Sequence, residues 1–135
     1  MQLLCLGDVA LTEECGPQPL WLPPAGMALG DQVRVLLNWE FPFGDTLNPR
    51  PRSRGQRYLA HPDSLCAIRN WSPGFATLAT NHVLDGGGEG LVRTLEALRQ
   101  ARFTTVGAGR TREEIAQPTF WETNEGRLAI LNWVF

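Results

Sequence analysis

Lysine is absent from this sequence: the twelve cationic side chains are all arginine, set against fourteen acidic ones, for a formal net charge of -2. The arginine-only usage reads as coding bias rather than chemistry. A slightly acidic balance argues against a general nucleic-acid binder, whose footprint is strongly basic. No apolar run approaches the ~20 residues a membrane-spanning helix requires. Cysteine is scarce and odd in number, at Cys5, Cys15 and Cys66, with no C-x-x-C spacing. That suggests neither a disulfide framework nor a thiolate zinc site. Cys5 and Cys66 sit among apolar neighbours and are expected to behave as small hydrophobes. Histidine occurs only at His61 and His82, and no serine lies in a strand-to-helix elbow, so Ser/His/Asp catalysis is rejected. A positive amino-terminal region, a hydrophobic stretch of usual length and a cleavage site are all missing, so no export signal is read and the chain as written is expected in the cytoplasm. Repeats and low-complexity tracts are also missing.

What remains is a chain of 135 residues, 43% apolar and 19% charged. That is one domain's worth of sequence with enough apolar content for a core, and it excludes a disordered chain. Leu3-Leu4-Cys5-Leu6, Val33-Arg34-Val35-Leu36-Leu37, Phe75 to Thr80 and Phe103 to Val106 are short, mostly apolar runs that predict buried strands. Between them, Pro62 to Asn70 predicts a short helix opened by proline. A longer helix follows Gly86-Gly87-Gly88, with Leu91, Leu95 and Leu98 at helical spacing and Glu89 four residues before Arg93. Thr111-Arg112-Glu113-Glu114 reads as a capping box. Thr119 to Glu122 and Arg127 to Phe135 predict a last pair of strands turning at Asn124-Glu125-Gly126. Residues 12–30 and 44–57 read as loops, the second mobile and arginine-rich. Apolar strands alternating with helices predict an α/β sheet spanning residues 1–135 as a single domain.

The chemistry gathers where three strands stop. The first ends at Asp8, the second at Asn38 and Glu40, and the third at Asn81 and His82, with Asp85 beyond. In open α/β sheets the ligand crevice lies outside the carboxyl ends of the strands. Carboxylates, amides and one imidazole on a common rim suit a hard or borderline divalent ion: Mn, Mg, Fe or Zn. Such an ion would polarise a phosphoryl oxygen and acidify a bound water.

Each residue also has a structural reading. Asp8 after Gly7 is a natural turn residue. Asn81 suits a strand-end cap, His82 a satisfied core histidine, and Asp85 before three glycines a helix cap. Glu40 between Trp39 and Phe41 is the hardest to dismiss, because a carboxylate in an aromatic stretch needs a partner. Their coincidence on one rim favours function. The triple-glycine turn opens a helix and so offers an anion its N–H groups, a weak signal alone. Gly107-Ala108-Gly109 lacks the dinucleotide fingerprint, and a nucleotide cofactor is rejected. Arginines 50, 52, 54 and 57 read as a solvated loop before they read as a polyanion site.

Taken in order, Gly7-Asp8-Val9, Asn38-Trp39-Glu40-Phe41-Pro42, Ala79-Thr80-Asn81-His82-Val83-Leu84-Asp85-Gly86 and Val106-Gly107-Ala108-Gly109 resemble the CapA family of bacterial capsule and poly-gamma-glutamate synthesis proteins. The resemblance implies a calcineurin-like metallophosphoesterase architecture. It places Asp8, Glu40, Asn81 and His82 at metal-site positions, with His82 and Asp85 as candidate catalytic residues and a phosphorylated or polyanionic substrate. Two departures stand out: Thr80 replaces a common asparagine, and no arginine follows the Gly-Asp segment. Family domains continue for about as much again and are usually anchored outside the membrane. The chain is therefore expected to represent the N-terminal half of such a domain, and to self-associate through its apolar last strand. The competing expectation is a non-catalytic remnant that binds a partner or a polyanion.

Overall fold

Alternation along Val33–Trp39 sets the architecture. Val35, Leu37 and Trp39 point to one face of the strand and Leu36 to the other, and both faces are covered. A strand apolar on both faces belongs in the middle of a layered sheet. The computed structural model, which describes residues 2–12, 33–45, 56–71 and 73–134, shows this sheet. Its strands are β1 (Gln2–Val9), β2 (Val33–Trp39), β3 (Gly74–Thr77) and β4 (Phe103–Val106), all parallel, in the order β1-β2-β3-β4. The helices are α1 (Ser64–Ile68), continued by a 3-10 turn at Arg69–Trp71, then α2 (Gly87–Gln100) and α3 (Arg112–Ala116). An antiparallel hairpin, β5 (Thr119–Thr123) and β6 (Gly126–Ile130), completes the chain's regular structure. The α/β class expected from the sequence is the one observed.

Two apolar layers hold the sheet. On one side Val35, Leu37, Trp39 and Ala76 pack with Ala67, Ile68, Leu95 and Leu98 from the helices. On the other, Phe75 and Val106 meet Trp121 and Ile130 of the hairpin. Gly74 makes the close strand approach possible, since a Cβ there would stand 2.7 Å from the Val35 carbonyl and 2.8 Å from the Phe103 ring. Helix α2 is fastened to the segment after β2. Thr94 Oγ1 accepts the Phe43 N–H at 2.8 Å and donates to the Gly90 carbonyl at 2.7 Å. That anchorage fixes the 81–86 turn, which delivers the histidine discussed below.

Several boundaries differ from expectation. The third strand stops at Thr77 rather than Thr80, because after Leu78 the chain turns, with Thr80 N–H bonded back to the Leu78 carbonyl at 2.8 Å. The last strand stops at Ile130 rather than Phe135. Asn132 turns inward there, its Oδ1 accepting the Ala79 N–H at 2.6 Å, and it lies so close to Gly107 (φ +85) that a Cβ would meet its carbonyl oxygen at 2.5 Å. Cys5 and Cys66 are both exposed, not buried. In α1 the buried positions are Ser64, Ala67 and Ile68, so residue 66 projects from the opposite side of the turn. Arg93 pairs at 2.6 Å with Asp45, an ion pair the sequence spacing did not suggest. The side-chain cap of α3 does form, as Thr111 Oγ1 accepts Glu114 N–H, but the Glu114 carboxylate takes Arg110 N–H instead of closing a box on Thr111. Of the two segments read as loops, 12–30 and 44–57, residues 13–30 and 46–55 lie outside the described residues.

Candidate functional site

Strand register brings the first three polar side chains into one row. Asp8 pairs with Asn38, and Asn38 pairs with Thr77 across β2. A register shift in β1 between Cys5 and Asp8 is what places Asp8 there, the kind of local irregularity that re-aims a side chain at a sheet's end. Thr77 Oγ1 donates to Asn38 Oδ1 at 3.0 Å, and Asn38 Nδ2 donates to Asp8 Oδ1 at 2.8 Å. The same Nδ2 donates to Glu40 Oε2 at 2.9 Å. Glu40 lies two residues beyond Asn38 and so returns to the same face. Its N–H bonds to the Val9 carbonyl at 3.1 Å, carrying the β1–β2 pairing one step further.

Thr80 ties the next element on. Its hydroxyl donates to the Glu40 carbonyl and accepts the His82 N–H, both at 3.1 Å. This buried threonine therefore holds the histidine-bearing turn against the end of β2. His82 Nδ1 meets Asp85 Oδ2 at 2.6 Å, and the same oxygen accepts the Tyr58 N–H at 2.9 Å. A carboxylate oxygen, which can only accept, takes its hydrogen bond from the ring proton on Nδ1. Nε2 lies 4.0 Å from Glu40 Oε1. Phe41 meets the imidazole edge-on with centroids 5.1 Å apart, Tyr58 stands 5.5 Å from it, and the two aromatic rings stack on each other at 4.8 Å.

The rim thus gathers Asp8, Glu40 and His82 as one connected set, with Asp85 behind. Asp85 is 3% exposed, and its contacts mark it as the group that orients His82. Asn81 opens the 81–86 turn and is exposed; the amide bonded to both carboxylates belongs to Asn38. Donor chemistry of two carboxylates, an imidazole and nearby amides suits a hard or borderline divalent ion. The spacing is looser than that chemistry: among the described residues no three His, Cys, Asp or Glu side chains come close enough to hold an ion between them. Thr77, Thr80 and Tyr58 are the members that sequence reading did not place in the site; it set Asn38 on the rim but not as the amide that joins the two carboxylates. Tyr58 carried one usable signal, as the chain's single tyrosine. The threonines carried none, because their roles follow from register.

An α/β sheet with an acid–amide–imidazole cluster at the carboxyl ends of its strands is the class that fold and site define. A family model described as the bacterial capsule synthesis protein PGA_cap matches residues 3–135, and the chain belongs to that family. Two proteins from two strains of Mycobacterium tuberculosis, each called a probable polyglutamine synthesis accessory protein, are 44% identical to it over 52 residues. The aligned stretch is 38% of this chain and 14% of each relative's length. No helix among the described residues is long and apolar enough to cross a membrane.

Proposed function

We propose that this chain serves the synthesis of a glutamate-type capsule polymer through a metal-dependent, phosphoesterase-like site on the strand-end rim. Family membership and the names of the two relatives support the capsule part of this reading. The observation that carries the site is the pair of carboxylates, Asp8 and Glu40, held on one amide beside a histidine whose Nε2 lies 4.0 Å from Glu40 Oε1. Asp8 and Glu40 would supply carboxylate ligands, His82 its Nε2, and Asn81 an amide from the turn. A divalent ion bound there supplies Lewis-acid polarisation of a phosphoryl oxygen and a more acidic water. Asp85 keeps the Nδ1 proton in place, and Phe41 with Tyr58 walls one side of the imidazole from solvent.

A second reading is favoured by the loose spacing of the acidic and imidazole groups. It takes the rim as a non-catalytic binding surface for a partner or a polyanion. Calorimetric titration with Mn, Zn and Mg separates the two. Saturable binding that disappears in Asp8→Ala supports the metal site; no binding of any of the three at sub-millimolar concentration leaves the binding-surface reading in its place.

A further inference from the structure

Away from the rim, a cleft of about 340 Å³ opens between α2, the end of β4, α3 and the segment leading into β5. It adjoins a second cavity of about 290 Å³, and both are lined by Leu95, Arg99 and Glu114. None of the lining residues belongs to the Asp8–His82 cluster. The charges here are disposed unevenly. Arg110 and Glu96, which also line the second cavity, satisfy each other at 3.0 Å. Glu114 spends one oxygen, Oε2, on the Arg110 N–H at 2.7 Å. Arg99, on the facing helix, enters no ion pair with any described residue, and none joins it to Glu114.

We infer that this cleft binds an α-amino-acid zwitterion, with Arg99 taking the carboxylate and Glu114 the ammonium. Two opposite charges that share a cavity without pairing are matched by a ligand carrying both signs a short spacer apart. A polyanion is a poorer fit, since the four charged side chains lining the two cavities sum to zero and provide no net field to draw it in. Guanidinium geometry suits a carboxylate in particular, through two parallel N–H···O bonds. The Gln117 amide and the Thr119 hydroxyl line the same cleft and offer hydrogen bonds to a polar side chain. Gly109 contributes room: a Cβ there would meet Glu114 Cβ at 2.6 Å, so glycine lets α3 close on the loop after β4. The Gly107-Ala108-Gly109 loop thus has a use other than the dinucleotide site its sequence fails to make. Resting on the capsule reading, the amino acids of interest are glutamate and glutamine, free or as the amino-terminal residue of a γ-linked chain, which carries the same zwitterion.

The test uses the whole 135-residue chain, with amide chemical shifts followed by NMR during titration with L-glutamine, L-glutamate and a short γ-linked glutamate oligomer. Shifts at millimolar ligand localised to residues of α2, α3 and the 117–119 segment are expected. N-acetyl-L-glutamine, which lacks the ammonium, and glutarate, which has only carboxylates, should bind at least about ten-fold more weakly. Arg99→Gln and Glu114→Gln should each weaken the zwitterion by a similar factor, the second keeping an oxygen for Arg110 N–H. Binding of the oligomer but not the free amino acids would assign the cleft to a chain end; the reverse would assign it to the monomer. Binding of N-acetyl-L-glutamine as tight as that of L-glutamine, or no localised shifts with any ligand, overturns the inference. Asp8→Ala should leave these shifts unchanged, so loss of metal binding at the rim and loss of zwitterion binding here are separate failures.

Discussion

Replacing Asn38 by aspartate changes one atom type at the centre of the rim. Asn38 Nδ2 stands 2.8 Å from Asp8 Oδ1 and 2.9 Å from Glu40 Oε2. In Asn38→Asp the Thr77 hydroxyl keeps its acceptor, but an oxygen takes the nitrogen's place between two carboxylates. Each new like-charge contact at ~3 Å is worth about 1.4 kcal/mol in bulk water and about 5.5 kcal/mol at an effective permittivity of 20. The variant has an escape, which is to hold a proton at the cluster. From an ordinary carboxyl pKa of about 3.9, that costs about 4 kcal/mol at pH 7 and caps the penalty. With the rim partly exposed, a loss of about 3 kcal/mol is expected, or roughly 12 °C in Tm. The sign of the pH dependence follows. Like charges raise the new group's folded-state pKa above its unfolded value, so the penalty is complete above the raised pKa and vanishes below about pH 3.9. Urea denaturation in the presence of a chelator, at neutral and at acid pH, measures both. Added Mn should restore stability, by about 2.7 kcal/mol at a hundred-fold excess over its Kd. A variant within about 0.5 kcal/mol of the parent at neutral pH, the range of an indifferent surface change, would refute the cluster.

Further predictions concern the scaffold. Asn132→Ala leaves the Ala79 N–H without its acceptor next to the site and should cost about 1–3 kcal/mol by denaturant titration. Arg102 ends α2 with φ 65, a left-handed conformation in which an L side chain is strained, so Arg102→Gly should stabilise the chain by up to about 1 kcal/mol. A Tm lower than the parent's would show that the Arg102 side chain contributes more than the strain it imposes.

How much of this was legible in the sequence depended on whether the determining neighbour was local. The four sheet strands could be read because each is a short apolar run with punctuation beside it, and helix α2 because its leucines recur at helical spacing. The rim could be read as far as residue types at strand ends go, which brings in Asp8, Glu40 and His82. The bridging amide could not be assigned, since choosing Asn38 over Asn81 needs the register of three strands. Cys66 misled because its apolar sequence neighbours face the core while it faces away. The final strand misled because Leu131, Trp133 and Val134 continue an apolar pattern that Asn132 interrupts through a contact with the distant Ala79; all three are exposed. For the bridging amide and the final strand the failure lies at a long-range contact that periodicity does not encode.

The central claim is that Asp8, Glu40 and His82 act together as the ligand set for one cation. Substoichiometric Mn added to the isotopically labelled chain tests it through paramagnetic line broadening. The account predicts that the amide signals of Asp8, Glu40 and His82 broaden first and together, and that Asp8→Ala abolishes the effect at Glu40 and His82. Broadening that begins instead at the exposed carboxylates of Asp45, Glu89 or Glu122, with the three rim signals unchanged, would contradict it.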